Sequence, residues 1–369
     1  MGFLRKMLKI LLVIIIFLIV FFLAVVLLLK FAPSVGKLPD EKKRAEYKAR
    51  TEYFDGESFR NMDSELTVLA GGEDTVGKRR TPSDEIPVVK SETVESGEEG
   101  KLFVTWLGHS SALVQLGTEN ILIDPVFSKR VSPVQFLGPK RFSEVPVEYE
   151  NLPEIDVMLI SHDHYDHLDY RTIKALDGKV KKYIVPLGVE SCLEGWGISL
   201  EKITALAWYE TAEADGIEFT ATPSQHFTMR NPFHRNAGWW CGFYFKDAYH
   251  SVYFTGDGGY SSNFKELAEK AGNIDLCLLE CGQYGKGWPF IHMFPEESAQ
   301  AALDCGVQWT IPVHWGAYCI CNNDWDDSII RFTAAADEKG IQYATPLIGE
   351  RVDYDTISDF NARWWENIN

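Results

Sequence analysis

His162, His164, Asp166 and His167 put three imidazoles and a carboxylate within six residues, directly after the apolar run 157–160. Ligands this dense at a strand end converge only if the loop turns around something that all of them bind. Imidazole nitrogen with carboxylate oxygen suits zinc. The plain alternative is a solvated, histidine-rich surface loop. Such a loop alone leaves a metal cage incomplete, so further ligands should appear at later strand ends. His226 follows the run 219–221, Asp257 the run 252–254 and His314 the run 309–311. Gly256, Gly258 and Gly316 stand beside them and permit close backbone approach.

Elements must carry these side chains to one place. From Lys101 the chain breaks into short β-rich runs, at 103–106, 112–116, 121–123, 157–160, 183–185, 219–221, 243–245, 252–254, 276–279 and 310–313. Helical stretches are fewer, at 170–176, 264–271, 295–304 and 326–339. Helices that recur between groups of strands point to a layered α/β domain rather than an all-β sandwich. No internal repeat indicates a solenoid or propeller.

The chain has 369 residues, and residues 101–369 suffice for one large core. Residues 1–9 form a basic tail and residues 10–29 are twenty apolar residues without a charge, enough for one transmembrane helix. No small-x-small cleavage site follows, so an uncleaved anchor is expected. Residues 30–100 read as a polar lead-in and linker, most mobile over the Gly-, Pro-, Ser- and Glu-rich stretch 71–100. Lys30, Lys37, Lys42, Lys43 and Arg44 beyond the span argue for a cytoplasmic domain. The basic tail is awkward to translocate, and on that ground we expect an extracytoplasmic domain on a single-pass anchor.

The net charge of −17, from 53 acidic and 36 basic residues, argues against a nucleic-acid partner, whose binding rests on phosphate neutralisation. Of seven cysteines, Cys241, Cys277 and Cys281 lie in apolar stretches and read as buried, inert thiols. Cys319 and Cys321 form a CxC without a second pair to complete a thiolate site, and read as structural.

The ordered set, Asp124 after an early strand, HxHxDH at 162–167, then His226, Asp257 and His314, resembles the metallo-β-lactamase superfamily. The resemblance covers nearly the whole chain from Lys101 onward. It implies an α/β fold of four layers, an αββα sandwich with its metals at one edge. It also implies two zinc ions. One would take His162, His164 and His226, the other Asp166, His167 and His314, with Asp257 bridging both and Asp124 orienting a ligand from behind.

Within the superfamily, the stretches from Thr105 to Ser110, Asp124 to Ser128, Gly138 to Phe142, His162 to Asp169 and Pro295 to Glu297 resemble the N-acyl-phosphatidylethanolamine-hydrolysing phospholipase D family and its bacterial relatives. That resemblance implies hydrolysis of a phosphodiester in a membrane phospholipid, releasing phosphatidic acid and an N-acylethanolamine. Asp166, Asp257 and His292 are then the expected catalytic residues, His292 as proton donor or phosphate contact, and His109 braces the ligands. The apolar run and acidic lead-in depart from the family pattern. His234 and His250 match no motif. The aromatics at Trp239, Trp240, Trp288, Phe290 and Trp315 are either core or the wall of an acyl groove.

Three other functions share parts of this pattern. A lactonase acting on a sugar phosphate would have a similar cage but no use for an anchor. A di-iron flavoprotein would carry a carboxylate where this chain has His164, and a flavodoxin-like domain after it. A non-enzymatic lipid-binding module would not need seven ligands.

Overall fold

The computed structural model describes residues 2–63 and 74–369. Its strands in chain order are β1 (Leu102–Gly108), β2 (Ser111–Leu116), β3 (Glu119–Ile123), β4 (Ile155–Leu159), β5 (Val180–Pro186), β6 (Ile203–Leu206), β7 (Thr211–Ala214), β8 (Ile217–Thr222), β9 (Gly242–Lys246), β10 (Ser251–Phe254), β11 (Ile274–Glu280), β12 (Val307–Val313) and β13 (Arg351–Asp353). They form a seven-stranded sheet in the order β13-β1-β2-β3-β4-β5-β6 and a six-stranded sheet in the order β12-β11-β10-β9-β8-β7. The helices are α1 (Gly2–Phe31), α2 (Glu41–Arg50), α3 (Tyr170–Leu176), α4 (Val189–Gly195), α5 (Asn263–Ala271), α6 (Pro295–Cys305) and α7 (Asp327–Lys339).

Strand alternation builds the layers. In β1, Leu102, Val104 and Trp106 join Phe219, Phe243 and Phe245 of the other sheet in one core between the sheets. Leu107, Met158, Tyr183 and Val185 point the other way and bury Ile173 and Leu176 of α3 and Leu193 of α4. Ala299 and Ala302 of α6 and Ile329 and Phe332 of α7 belong to the inter-sheet core cluster together with the β11 and β12 residues they cover. The expected αββα sandwich is the observed fold.

The ten predicted strands fall on observed ones and the four predicted helices on α3, α5, α6 and α7. β6, β7, β13 and α4 have no counterpart among the predicted elements. They are three or four residues long as strands, or a seven-residue helix containing Gly195, too short for periodicity to register.

The lead-in differs most from its expectation. Asp40 caps α2 by accepting from the Lys43 amide, and Tyr47, Phe54 and Phe59 are buried in the inter-sheet cluster, Phe59 stacking on Trp239. Arg50 donates to Glu210 and to the Ala205 carbonyl. Three aromatics among many charges are enough to dock a segment whose composition reads as solvated. Further on, Arg79 pairs with Asp326, Arg80 donates to the Cys321 carbonyl, and the Val89 amide bonds Ile348. So residues 33–63 and 74–100 are packed parts of the domain rather than a linker, and the part of the expected linker at 64–73 lies outside the described residues.

Helix α1 is longer than the expected 10–29 span. Arg5–Leu27 is long and apolar enough to cross a membrane, and none of it is buried in the protein.

Candidate metal centre

Strand direction gathers the ligands. β3 and β4 run parallel, as do β10, β11 and β12, while β8 is antiparallel to β9 and β9 to β10. The C-terminal ends of β3, β4, β8, β10, β11 and β12 share one edge of the sandwich, β9 running the other way, and there Asp124, the 162–167 loop, His226, Asp257, Glu280 and His314 emerge. The edge is closed by backbone bonds between the sheets: the His109 amide donates to Trp315 O and the His314 amide to His109 O, both at 2.9 Å. Positive φ angles at His109 (54°), Asp124 (39°), Gln283 (62°) and His314 (71°) cluster here. Non-glycine residues hold such backbone only where the surroundings over-determine it, at about 1–3 kcal/mol each. Gly256 at φ 60° is needed in the same way, since a Cβ there would stand 2.5 Å from the Cys241 carbonyl.

Two donor groups result. In the first, His164 Nδ1 lies 3.0 Å from His162 Nε2 and 3.2 Å from His226 Nε2. In the second, Asp166, His167 and His314 close together with His109. Asp257 stands between, its Oδ2 3.8 Å from His162, 3.9 Å from His226, 3.1 Å from His167 and 3.3 Å from His314, each at Nε2. The seven expected ligands are thus brought together, in the two groups and around the shared carboxylate that the sequence reading assigned.

The far nitrogen of four of the five ligand rings is held from behind. His167 Nδ1 donates to Asp124 Oδ2 (2.7 Å) and His226 Nδ1 to Ile291 O (2.8 Å). His162 Nδ1 meets Ser161 Oγ (2.9 Å), and His314 Nδ1 meets Ser110 Oγ (2.8 Å). Ser161 itself donates to both oxygens of Asp124. The carboxylate behind His167 and the carbonyl behind His226 accept from Nδ1, which turns Nε2 of both rings toward Asp257. His164 alone presents Nδ1.

Burial lowers the pKa of His162, His226 and His314 well below the usual imidazole range and that of His164 to about 3. Neutral rings are the form that binds a cation. Burial also pushes Asp257 up to about 6. Burial alone would lower His167, but the carboxylates of Asp257 and Asp166 prevail and raise it well above the usual value. Buried His167 Nε2, His314 Nε2 and Asp257 Oδ1 have no hydrogen-bond partner. Unpartnered buried donors and acceptors carry a full desolvation cost unless something binds them. A divalent cation fits that need, and the donor set is right for it.

His109 donates from Nε2 to Asp166 Oδ2 at 3.0 Å, the bracing role expected. His292 borders the cleft above the centre, with Nδ1 hydrogen-bonded to Glu280 and 4.0 Å from Asp257 Oδ2. Glu280 escaped the sequence reading. It ends β11, is buried, and burial holds its carboxyl well above the usual range. A carboxylate closing the apolar run 276–279 was its signal. Asn61, Ser110, Ser161 and Gln283 escaped too, and only Ser110 and Ser161, next to histidines, left any trace in sequence. Gln283 accepts from the Ile320 and Cys321 amides and donates to His314 O and Tyr318 O, holding the loop that walls the cleft.

The cleft holds about 240 Å3 and has apolar walls from Phe227, Trp288, Ile291 and Ile320. Of the aromatics left open above, Trp239, Trp240 and Trp315 are core, while Trp288 lines the cleft. His234 is exposed and His250 bonds the Gly100 carbonyl, both away from the centre. Cys241, Cys277 and Cys281 are buried free thiols that burial raises above the usual range. Neither Cys319 nor Cys321 joins a metal-ligand group among the described residues.

Two sheets between helices, with histidines and aspartates converging at one edge, define a metal-dependent hydrolase of the metallo-β-lactamase fold. Residues 119–315 match the family model of the beta-lactamase superfamily domain. The chain belongs to the metallo-β-lactamase superfamily. It is 39% identical to an uncharacterized protein of Mycobacterium tuberculosis over 74% of each chain. It is 33% identical to the N-acyl-phosphatidylethanolamine-hydrolyzing phospholipase D 1 of Caenorhabditis elegans, over 63% of this chain and 69% of that one. Among solved structures, a metallo hydrolase from the archaeon Ignicoccus hospitalis superposes with a TM-score of 0.53 at 18% identity, covering 69% of this chain and 98% of that one, a likeness of fold alone.

Proposed function

We propose that this protein is a two-zinc phosphodiester hydrolase of phospholipase D type, held at a bilayer by α1 and acting on N-acyl-phosphatidylethanolamine-like lipids. The carrying observation is the shared Asp257 carboxylate between two histidine-rich donor groups, at the floor of a cleft with apolar walls. The worm relative's name points to the same substrate class.

His162, His164 and His226 would hold one zinc, Asp166, His167 and His314 the other, with Asp257 touching both. Bound there, the pair would supply a hydroxide nucleophile near neutral pH and would draw charge from the phosphoryl oxygens. Asp257 fixes the spacing of the two positions, and Asp124 and Ser161 hold two rings in register. Phe227, Trp288 and Ile320 keep bulk water from the scissile bond and offer acyl chains an apolar wall. Water attacks phosphorus and gives up a proton, the bond to the ethanolamide oxygen breaks, and that oxygen takes a proton from a neighbouring acid, which the proton released by the water then restores. His292, with Nδ1 committed to Glu280, hands it over from Nε2.

The test uses full-length protein in detergent-lipid micelles with N-acyl-phosphatidylethanolamine, and mass spectrometry of the products. Phosphatidic acid and N-acylethanolamine in equal amounts are expected, together with close to two zinc ions per chain by elemental analysis. Phosphate-monoester or lactone turnover without lipid cleavage would overturn the substrate class, and stoichiometric iron would overturn zinc.

A further inference from the structure

Far larger than the catalytic cleft is a cavity of about 730 Å3 at the foot of α1. One wall is Ala32, Pro33 and Ser34, immediately after the helix ends at Phe31. If α1 spans a bilayer, as the proposed function assumes, this cavity opens at the depth of the lipid headgroups. The loop opposite ties itself to that wall, Ser34 Oγ donating to Pro133 O at 2.7 Å.

The lining combines cations with exposed apolar groups. Arg130 and Arg171 flank the opening, and neither forms an ion pair among the described residues. Behind them Arg230 is buried, its guanidinium 4.3 Å from the Tyr165 ring centre and 4.9 Å from that of Trp196. Its Nη2 has no hydrogen-bond partner. Asp169 is the acid in the lining, and its oxygens are already taken by Ser128, Thr172 and the Arg171 amide. At the loop tip Phe136 is 74% and Leu137 67% exposed. A protein of net charge −17 that gathers three arginines beside two bare apolar side chains, at the end of its anchor, has built a cationic, amphipathic site suited to an anionic amphiphile.

We propose that this cavity binds the headgroup of an anionic phospholipid, its phosphate between Arg130 and Arg171 and against Arg230, while Phe136 and Leu137 enter the acyl boundary. The bound lipid is not the lipid being cleaved, because the cavity lining contains neither Asp257 nor His292. A second attachment beside α1 stops the domain from swinging on one tether and fixes the tilt of the metal edge to the membrane.

Full-length protein is purified from mixed micelles of phosphatidylcholine with a minor share of phosphatidylglycerol, and retained lipid is measured by native mass spectrometry. Phosphatidylglycerol should be enriched over its bulk share. The double variant Arg130→Gln, Arg171→Gln should cut that enrichment about thirtyfold, from roughly 1 kcal/mol for each of two basic side chains at an anionic surface. Phe136→Ser, at an exposed tip where folding is not at stake, should lower it as well. Undiminished enrichment in both variants overturns the site. Displacement of the lipid by soluble glycerol phosphate at comparable concentration also overturns it, since the cavity would then read a free phosphate. The readout needs no turnover, so failure of the phosphodiesterase reading leaves it standing. A chain that carbonate extracts from membranes refutes the anchor, and the lipid site with it.

Discussion

Asn61 and His226 exchange a reciprocal pair of backbone-to-side-chain bonds: Asn61 Nδ2 donates to His226 O at 2.8 Å, and the His226 amide donates to Asn61 Oδ1 at 3.0 Å. A residue of the polar lead-in thus sets the backbone of a ligand lying a hundred and more positions away. The bonds aim the His226 ring at the group shared with His162 and His164.

Asn61→Ala should therefore weaken metal binding about tenfold, the usual scale for a residue that orients a ligand, with little change in melting temperature. Asn61→Asp keeps the acceptor and should recover part of the loss. Competition with a chromogenic chelator reads both. Equal metal affinity in all three proteins would mean that His226 is held by its Ile291 bond alone.

Asp257 and Asp124 should separate as variants. Asp257→Asn removes the carboxylate common to both donor groups and should cost more than about 100-fold in activity together with a loss of bound metal. Asp124→Asn keeps the shape but exchanges a charged acceptor for a neutral amide behind His167, and should cost about 10–100-fold in metal affinity. His234→Ala, at an exposed position, is the control. A His234→Ala enzyme as impaired as Asp257→Asn would show that the centre lies elsewhere.

The centre was largely legible in sequence because each ligand follows an apolar run, and strand ends of a layered α/β sheet converge by topology. What could not be read acts through chain turns of no fixed spacing. Glu280 reaches His292 only because β11 ends beside the loop before α6, and Asn61 reaches His226 only because Tyr47 and Phe59 dock the lead-in. Composition misjudged that segment for the same reason. Three buried aromatics anchor it, and their weight is lost in an average over seventy mostly polar residues.

The docked lead-in should also carry a pH signature. Glu194 accepts from Lys43 at 2.7 Å and from Lys37 at 3.1 Å, and those bonds, Lys43 first, hold its carboxyl below the usual range. A depressed folded value contributes stability above the unfolded pKa of about 4.3, and that stability disappears as pH falls through the folded value. The pair is partly exposed, so its worth is at most about 1 kcal/mol. Glu194→Gln should melt lower than the wild type at neutral pH, with the gap closing as pH drops below about 4. A gap that persists in acid would assign the loss to packing.

The structure also fixes where α1 can be cut away. Helix α1 ends at Phe31, but Trp196 Nε1 donates to Pro33 O and Arg230 Nε to Ser34 O, both at 2.7 Å, and Val35 is buried. Removing residues 1–31 should leave the domain folded and its turnover of a small soluble phosphodiester within about twofold, since no site residue lies in that segment. Under the proposed function, hydrolysis of N-acyl-phosphatidylethanolamine in vesicles should fall about tenfold or more, because the proposed tether would no longer convert a bimolecular encounter into a local one. Removing residues 1–60 is a different experiment. It strips Tyr47, Phe54 and Phe59 from the core, and loss of one such aromatic costs about 3–5 kcal/mol. That protein should lose both activities and melt far lower. If the shorter truncation lost both activities equally, α1 would be serving the fold. If it lost neither, α1 would set location only, and weight would shift toward a soluble substrate such as a phosphorylated lactone.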